Sequence, residues 1–396
     1  MNSKNSFFNH QAQTTPFPVS LEIDRANGSY LYDQKGKKYL DMVAGVAVSN
    51  LGHNNENIKN AIKKQVDRHL HTMVYGEFIQ SEPADFAQNL TRLLPKEIDS
   101  VYFVNSGAEA VEAALKLAKR VTGRTQIISC KKSYHGSTHG ALSVSGNEIK
   151  KRPFRPLLPD IRFIEHNKPQ DLNTISRKTA AVLIEPVQGD AGVRPASRDY
   201  LEALSRRCRE TGTKLIFDEI QTGFGRTGAW WAFEKTGVNP DYVTLGKAVF
   251  GGMPGGALAA PQKELNAFTH NPMLGHITTF GGHPVVCAAG NAALKEMKNT
   301  ISFDEVEEKG RYLARALQHE NVCEIRQTGL MLAVDLKSPE AVQSVFRFCL
   351  RNGVIIFWFL SNPHSFRLAP PLNISQPDLK MAVDVLQRAF DHIPKT

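Results

Sequence analysis

Between residues 100 and 260, short runs of β-branched and aromatic residues alternate with longer segments of helical periodicity. Several runs are apolar throughout, as expected for strands that helices cover on both faces. The alternation predicts a mostly parallel sheet with crossover helices, and therefore an α/β fold. The predicted strands are 101–104, 126–130, 161–165, 180–185, 214–217, 242–244 and 256–260.

The two ends of the chain have a different character. Residues 20–42 have the pattern of a small hairpin-rich segment, and residues from 300 onward mix helices with short strands. Ser375 and Asp378 form a predicted capping box for a last helix with an apolar stripe. We therefore expect a smaller α+β domain built from residues 1–65 and 296–396, around a large domain at 66–295.

Composition and charge restrict the class of protein. The chain is 41% hydrophobic and 22% charged, as in folded globular proteins, and its formal charge of +9 suits anionic ligands. Basic runs typical of nucleic-acid binding, apolar stretches of eighteen residues and metal-binding spacings are absent from the sequence. The five cysteines are widely spaced, and the N-terminus is polar. We expect a cytoplasmic protein that binds small molecules, without a metal, membrane or nucleic-acid partner.

A predicted strand leads directly into Ser106 and an alanine-rich helix, with Glu109 placed to complete a capping box. Small residues at Ser106, Gly107 and Ala108 would let a phosphate approach the N–H groups at the helix start, where the helix dipole favours negative charge. A simple helix cap explains the same residues, so this motif alone leaves both interpretations open.

A second motif is an apolar strand that ends in two adjacent carboxylates, Asp218 and Glu219. Ligands of α/β proteins bind at this edge of the sheet. Alternation points the two side chains to opposite sides, and a buried one would need a cationic partner such as a protonated pyridine nitrogen. The alternative is a strand end that emerges into solvent.

Lys247 follows another predicted strand and precedes the glycine-rich residues 251–256. A lysine amine forms a Schiff base with an aldehyde when its surroundings favour the neutral form, and neighbouring glycines leave room for a ring. The alternative is a surface lysine in a loop.

Residues 223–228 match the G-x-G-x-x-G pattern of dinucleotide-binding folds. Residues 218–222 separate them from the strand, and Asp241 lies too close to serve as the ribose-binding acid. A nicotinamide-dependent dehydrogenase is therefore a distant alternative, as is a catalytically silent ligand-binding protein.

Several motifs together resemble those of the class III aminotransferases over residues 20–390. They are NSGAEA (105–110), YHG (134–136), EPVQG (185–189), DEIQTG (218–223) and GK (246–247). Two more, TTFGGHP (278–284) and RLAPP (367–371), are similar to the acetylornithine and ornithine aminotransferase subgroup.

The resemblance implies a fold-type-I homodimer that binds pyridoxal 5'-phosphate (PLP) in the large domain at the subunit boundary. It implies that Lys247 carries PLP as a Schiff base and moves the substrate proton, and that Asp218 pairs with the pyridine N1–H. The other cofactor contacts that it implies are Ser106, Gly107 and Ala108 at the phosphate, Tyr134 and Val187 on the ring faces, Gln221 at the phenolic oxygen and the partner subunit's Thr279 at the phosphate.

On the substrate side, the resemblance implies that Arg367 binds a carboxylate, and we place Glu185 nearby. Ser137 stands where the subgroup usually has an arginine, and Asp190 replaces the glutamate that neutralises the Arg367 equivalent. These departures favour an amine or ω-amino acid as donor, with 2-oxoglutarate as the expected acceptor in a ping-pong reaction. A racemase, aminomutase or decarboxylase of the same fold would share Lys247 and Asp218. We assign no histidine, including His135, a catalytic role.

Overall fold

The computed structural model describes residues 3–393, and its first elements form an antiparallel meander. Their bounds are α1 Ser3–His10, β1 Ile23–Asn27, β2 Tyr30–Asp33, β3 Lys38–Asp41, α2 Ala44–Ala47, α3 Glu56–Arg68 and α4 Ser81–Thr91. Strand β2 pairs antiparallel with both β1 and β3. The hairpin-rich segment predicted for residues 20–42 is confirmed.

The central region holds the main sheet and the helices that cover it. Its elements are β4 Ser100–Val104, α5 Gly107–Thr122, β5 Gln126–Cys130, α6 His139–Val144, α7 Glu148–Lys151, β6 Ile161–Ile164, β7 Thr179–Ile184, β8 Val187–Gln188, β9 Arg194–Pro195, α8 Arg198–Thr211, β10 Lys214–Asp218, β11 Tyr242–Gly246, β12 Gly256–Ala260 and α9 Gln262–Leu265. Short 3₁₀ turns lie at Arg152–Phe154, Pro169–Thr174, Ala232–Lys235, Lys247–Phe250 and Asn266–Thr269.

Within residues 3–393, the main sheet has seven strands in the order β4-β12-β11-β10-β7-β5-β6. Strand β12 runs antiparallel to both of its neighbours, and the other pairs are parallel. All seven strands predicted from the sequence are present, with ends shifted by at most two residues. The predicted α/β class is therefore confirmed.

Helix α8 shows how the local sequence sets an element's bounds. Its N-cap Ser197 accepts a hydrogen bond from the backbone N–H of Tyr200, and Gly212 ends the helix with a φ of 65°. Leu201 and Leu204 are buried on its inner face. The helix that the residues up to Gly212 predict, with Leu201 and Leu204 on one face, is therefore present.

The C-terminal part contributes α10 Pro284–Thr300, α11 Phe303–Ala316, β13 Val322–Thr328, β14 Met331–Leu336, α12 Pro339–Arg351, β15 Val354–Ile355, β16 Phe357–Trp358, β17 Ser365–Leu368 and α13 Gln376–Asp391. Strands β13, β14, β17 and β16 form a sheet in that order, while β15 pairs parallel with β3. The two ends of the chain thus share a sheet. Ser375 caps α13 as predicted, accepting from the N–H of Asp378 at 3.2 Å.

The glycine-rich residues 223–228 form irregular turns, and no strand-to-helix turn of the dinucleotide-binding kind occurs within them. Their function is structural. Arg226 is fully buried, and its guanidinium donates to the carbonyl oxygens of Leu330 (2.8 Å) and Pro370 (2.7 Å) and to the side chain of Asn50. Arg226 therefore ties the main sheet to both ends of the chain.

Across residues 3–393, none of the helices combines the length and the apolar character needed to cross a bilayer.

We expect Arg226→Met to lower the free energy of unfolding by about 3 kcal/mol, because three buried acceptors lose a charged donor. Burial already lowers the pKa of Arg226 to about 9, so the guanidinium depends on these partners. Urea unfolding of parent and variant measures the change. Arg347→Met, on the exposed face of α12, is the matched control. Equal unfolding midpoints for Arg226→Met and the parent would contradict this account.

Candidate active site

Three ionisable side chains follow neighbouring strands at one edge of the main sheet. Asp218 is the last residue of β10, Lys247 follows β11, and Glu185 follows β7. Because these strands are parallel, their carboxyl ends meet at the same edge, where ligands of open α/β sheets bind. A cavity of about 570 Å³ opens there, a size typical of small-molecule sites.

Most of the predicted site residues line this cavity. Those that do are Gly107, Ala108, Tyr134, Ser137, Glu185, Asp218, Gln221 and Lys247. Ser106 lies at the start of the adjoining helix α5, while Asp190 and Arg367 form a buried pair with each other. The structure places Val187 in a small separate cluster with Met331 and Phe359, and leaves Thr279 exposed on this chain.

Lys247 begins the 3₁₀ turn Lys247–Phe250, with a φ of 48° that few residues other than glycine adopt. Burial lowers the pKa of the Lys247 amine, while the negative charges of Asp218 and Glu185 act in the opposite direction. A lowered pKa gives a larger fraction of neutral amine, which is the form that reacts with an aldehyde. The alternative of a surface lysine in a loop is wrong.

Asp218 is buried and held by two donors. Its Oδ1 accepts from the backbone N–H of Ile220 at 3.1 Å, and its Oδ2 lies 2.6 Å from Nδ1 of His135. The His135 backbone N–H donates to Ser145 Oγ at 3.0 Å, and its Nε2 lies 3.3 Å from Ser129 Oγ, so both ring nitrogens have a partner. The carboxylate is thus oriented before any ligand binds, and the alternative of a strand end in solvent is wrong.

His135 is a residue whose contact with the site the sequence analysis missed. It lies next to Tyr134 in the YHG motif, and it is fully enclosed with Asp218. The signal that points to it is the buried carboxylate itself, because such a group needs a donor and His135 can provide one. The sequence does not show which histidine comes close to Asp218.

Glu219 lies on the other side of β10, as the alternation predicted. It accepts from the hydroxyl of Thr222 and from the backbone N–H of Phe233 at 3.0 Å. Burial raises the pKa of Glu219 to about 7, and Asp218 adds to this effect. Burial likewise raises the pKa of Glu185 to about 7, although the backbone N–H groups of Tyr134 and Gly189 donate to it.

The start of α5 has the predicted helix cap. Ser106 Oγ accepts from the Glu109 N–H at 3.2 Å, and Glu109 Oε2 accepts from the Asn105 N–H at 2.7 Å. The packing here needs small residues, since a Cβ on Gly256 would lie 2.1 Å from the Ser106 carbonyl oxygen. Gly107 lines the cavity. The first backbone N–H groups of a helix have no acceptor inside that helix, so those of α5 are available to a ligand.

Arg367 and Asp190 form a buried ion pair of 3.1 Å, and both charges act on the pKa of Lys247. Asp190 also accepts from the Leu360 N–H (3.0 Å) and from Ser361 Oγ (2.7 Å). The guanidinium lies 4.4 Å from the centre of the Phe359 ring. Burial lowers the pKa of Arg367. Arg367 is therefore not a surface residue.

The residues present fit PLP. Lys247 provides a buried amine whose pKa is lowered, and Asp218 provides a fixed carboxylate for a ring nitrogen. The start of α5 provides free N–H groups for a phosphate. Gly189 makes room for Gln221, since a Cβ there would lie 2.1 Å from the Gln221 amide oxygen. Each chemical feature of PLP therefore has a matching group at this edge of the sheet.

Comparison with known proteins agrees with this geometry. Residues 10–390 match the sequence model of the family described as aminotransferase class-III. The chain is 37% identical to acetylornithine aminotransferase of Archaeoglobus fulgidus, over 92% of this chain and 94% of that protein. It is 38% identical to acetylornithine aminotransferase of Bacillus subtilis, over 94% of this chain and 95% of that protein. It is 35% identical to the LysW-aminoadipate semialdehyde/glutamate semialdehyde transaminase of Sulfurisphaera tokodaii, over 93% and 95%.

Solved structures of transaminases share the fold. A transaminase from the marine bacterium Virgibacillus superposes with a TM-score of 0.92 at 25% identity, over 99% of both chains. Ornithine aminotransferase from Toxoplasma gondii superposes with a TM-score of 0.90 at 27% identity, over 98% of this chain and 95% of that one. An amine transaminase from an uncultivated Pseudomonas species, in a PLP-bound form, gives 0.88 at 28% identity, over 97% and 99%.

We expect His135→Phe to lower kcat at least about tenfold, since a hydrogen bond to a charged group contributes about 1.5 to 3 kcal/mol. The variant should also release PLP more readily, which equilibrium dialysis measures without reference to activity. His53→Phe is the matched control, because His53 pairs with Asp41 at 2.8 Å outside the cavity. If both variants keep the parent's kcat and PLP affinity, His135 does not position Asp218.

The raised pKa of Glu219 predicts how stability depends on pH. Between pH 4.5 and about 7, the folded protein still holds a proton on Glu219 that the unfolded chain has already lost. The free energy of unfolding therefore falls as the pH rises through this range. Glu219→Gln removes this contribution, and its stability relative to the parent should rise by about 3 kcal/mol from pH 4.5 to about pH 8. Urea unfolding across the range, with exposed Glu210→Gln as control, measures it. Parallel profiles for Glu219→Gln and the parent would show that the carboxyl is not shifted.

Proposed function

The chain belongs to the class III aminotransferases, and on this premise we propose that it moves an amino group from an amine or ω-amino acid to 2-oxoglutarate by a ping-pong reaction. One observation carries the proposal: the buried Arg367 is neutralised by Asp190 beside the Lys247 cavity. With Asp190 as its partner, Arg367 is compatible with a donor that has no carboxylate next to the amine. Released from Asp190, it can bind the carboxylate of a 2-oxo acid.

PLP, the cofactor of this family, supplies a ring that draws electron density from the substrate Cα. Lys247 would hold the cofactor through Nζ, and once a substrate amine has displaced this nitrogen, the freed Nζ would accept the proton of the substrate Cα. Asp218, fixed by His135 and by the Ile220 N–H, keeps a negative charge where the ring nitrogen carries its proton. Lys247 and Asp218 are therefore the proposed catalytic residues.

The rest of the site binds and orients. Ser106, Gly107 and Ala108 hold the phosphate at the start of α5, and Gln221 binds the phenolic oxygen. Tyr134 and Val187 cover the two ring faces. Tyr134 lines the cavity, whereas Val187 would contact the ring from its cluster with Met331 and Phe359. On the substrate side we propose Arg367, Asp190, Glu185 and Ser137.

We propose a homodimer in which the partner subunit's Thr279 completes the phosphate site. Apolar side chains are exposed on the segment that carries Thr279, namely Met273, Leu274, Ile277 and Phe280. An exposed apolar patch of this kind favours a protein partner, and a second copy would cover it. We further propose a cytoplasmic location, which is consistent with five cysteines that are all free thiols.

The curated relatives narrow the donor. Their names specify acetylornithine, which is an amine, and aminoadipate or glutamate semialdehyde, which is the carbonyl partner of an ω-amino acid. Ser137 lies 3.3 Å from the Tyr134 hydroxyl at the rim of the cavity and offers a hydroxyl instead of a cation. We therefore propose that donors without a carboxylate are also accepted.

Holoenzyme incubated with an amine donor alone should release one equivalent of oxo product and lose the absorbance of the lysine-bound cofactor. Addition of 2-oxoglutarate should restore the absorbance and yield glutamate, since each half-reaction returns the enzyme to its other form. Stopped-flow spectroscopy with product quantification measures both halves. A racemase, aminomutase or decarboxylase would turn over without the acceptor, and that result would exclude the proposed function.

A further inference from the structure

A second cavity of about 440 Å³ adjoins the active-site cavity, and the two share Tyr134 and Ser137. Lys150 and Asn147 line the far side, together with Leu360 from the loop between β16 and β17. A substrate whose reacting end lies at Lys247 would pass Tyr134 and Ser137 and extend into this second cavity. The second cavity therefore borders the active-site cavity at these two residues.

Lys150 is the cation of this second cavity that has no bound partner. Among residues 3–393, none makes a hydrogen bond or ion pair with its Nζ. His139, which also lines the cavity, already has its Nε2 3.0 Å from the Pro156 carbonyl oxygen. Burial lowers the pKa of Lys150, while Asp190 raises it and Arg367 lowers it further. Lys150 therefore lies within the electrostatic reach of the Arg367 pair.

A chain of hydrogen bonds also joins Lys150 to that pair. The Lys150 backbone N–H donates to Asn147 Oδ1 at 3.4 Å, and Asn147 Nδ2 donates to Ser361 Oγ at 3.0 Å. Ser361 Oγ donates to Asp190 Oδ2 at 2.7 Å, and Asp190 Oδ1 accepts from Arg367. The backbone of Lys150 is thus linked to Arg367, while its side chain remains available for a ligand.

We propose that Lys150 binds the distal carboxylate of the substrate, the one farthest from the reacting carbon, while Arg367 binds the carboxylate next to that carbon. The inference rests on the proposed function and concerns those of its substrates that carry a distal carboxylate, namely dicarboxylates and ω-amino acids. Lys150 would supply the cation that Ser137 does not. A lysine ammonium on a flexible stem accepts several geometries, so it admits substrates of different lengths better than a guanidinium fork would.

Glutarate and pentanoate test this assignment, because they differ only in the distal carboxylate. Titration calorimetry on the holoenzyme gives the Kd of each. We expect parent protein to prefer glutarate, and Lys150→Met and Lys150→Gln to reduce that preference about tenfold through loss of a charge-assisted hydrogen bond. Lys150→Arg should retain it. Arg152→Met removes an exposed charge two residues away and should behave as the parent.

A rescue variant sharpens the test. Adding Ser137→Arg to Lys150→Met places a cation on the wall shared by the two cavities, and should restore the preference for glutarate. The inference is overturned if Lys150→Met and Lys150→Gln keep the parent's preference, if they weaken glutarate and pentanoate equally, or if the parent shows no preference. These results concern binding only. The proposed function fails separately, if the parent transfers no amino group from any donor to 2-oxoglutarate.

Discussion

The candidate site depends on the burial of one amine, Lys247, and one carboxylate, Asp218, at the same edge of the main sheet. Burial lowers the pKa of Lys247, and Asp218 lies within reach of it, fixed by His135 and a backbone N–H. Leaving water costs each group several kcal/mol unless other groups compensate. The strand ends, the left-handed backbone at Lys247 and the glycines nearby all maintain this placement. A cofactor that contacts both groups binds more tightly when they are already in place, because no free energy is needed to arrange them.

The proposed substrate-binding residues follow the same principle, in which a buried charge is held beside a fixed partner. Arg367 is buried and needs a negative partner, which Asp190 provides. Under our proposal, a substrate carboxylate takes the place of Asp190. Asp190 is in turn linked through Ser361 and Asn147 to the backbone of Lys150. Under our proposal, Arg367 and Lys150 bind the two ends of a substrate, and Ser137 provides no cation between them.

Much of the fold could be predicted because its signals are local. Apolar runs located the strands, and Gly212 and Ser375 marked helix ends through local backbone geometry and hydrogen bonds. The antiparallel direction of β12 was not specified, because strand direction depends on the path of the chain between elements. For the site, the motifs identified residues that line the cavity. The contacts of His135 and Lys150 join parts of the chain that lie far apart, and no sequence spacing reveals them.

The central claim is that Lys247, and no other lysine, carries the cofactor. Borohydride reduction of the purified holoenzyme makes the link permanent, and peptide mapping by mass spectrometry then locates the added mass. The account predicts a single modified peptide that contains Lys247, and no incorporation in Lys247→Ala, which should also lack amino-group transfer. Modification at a different lysine, or transfer that persists in Lys247→Ala, would contradict it.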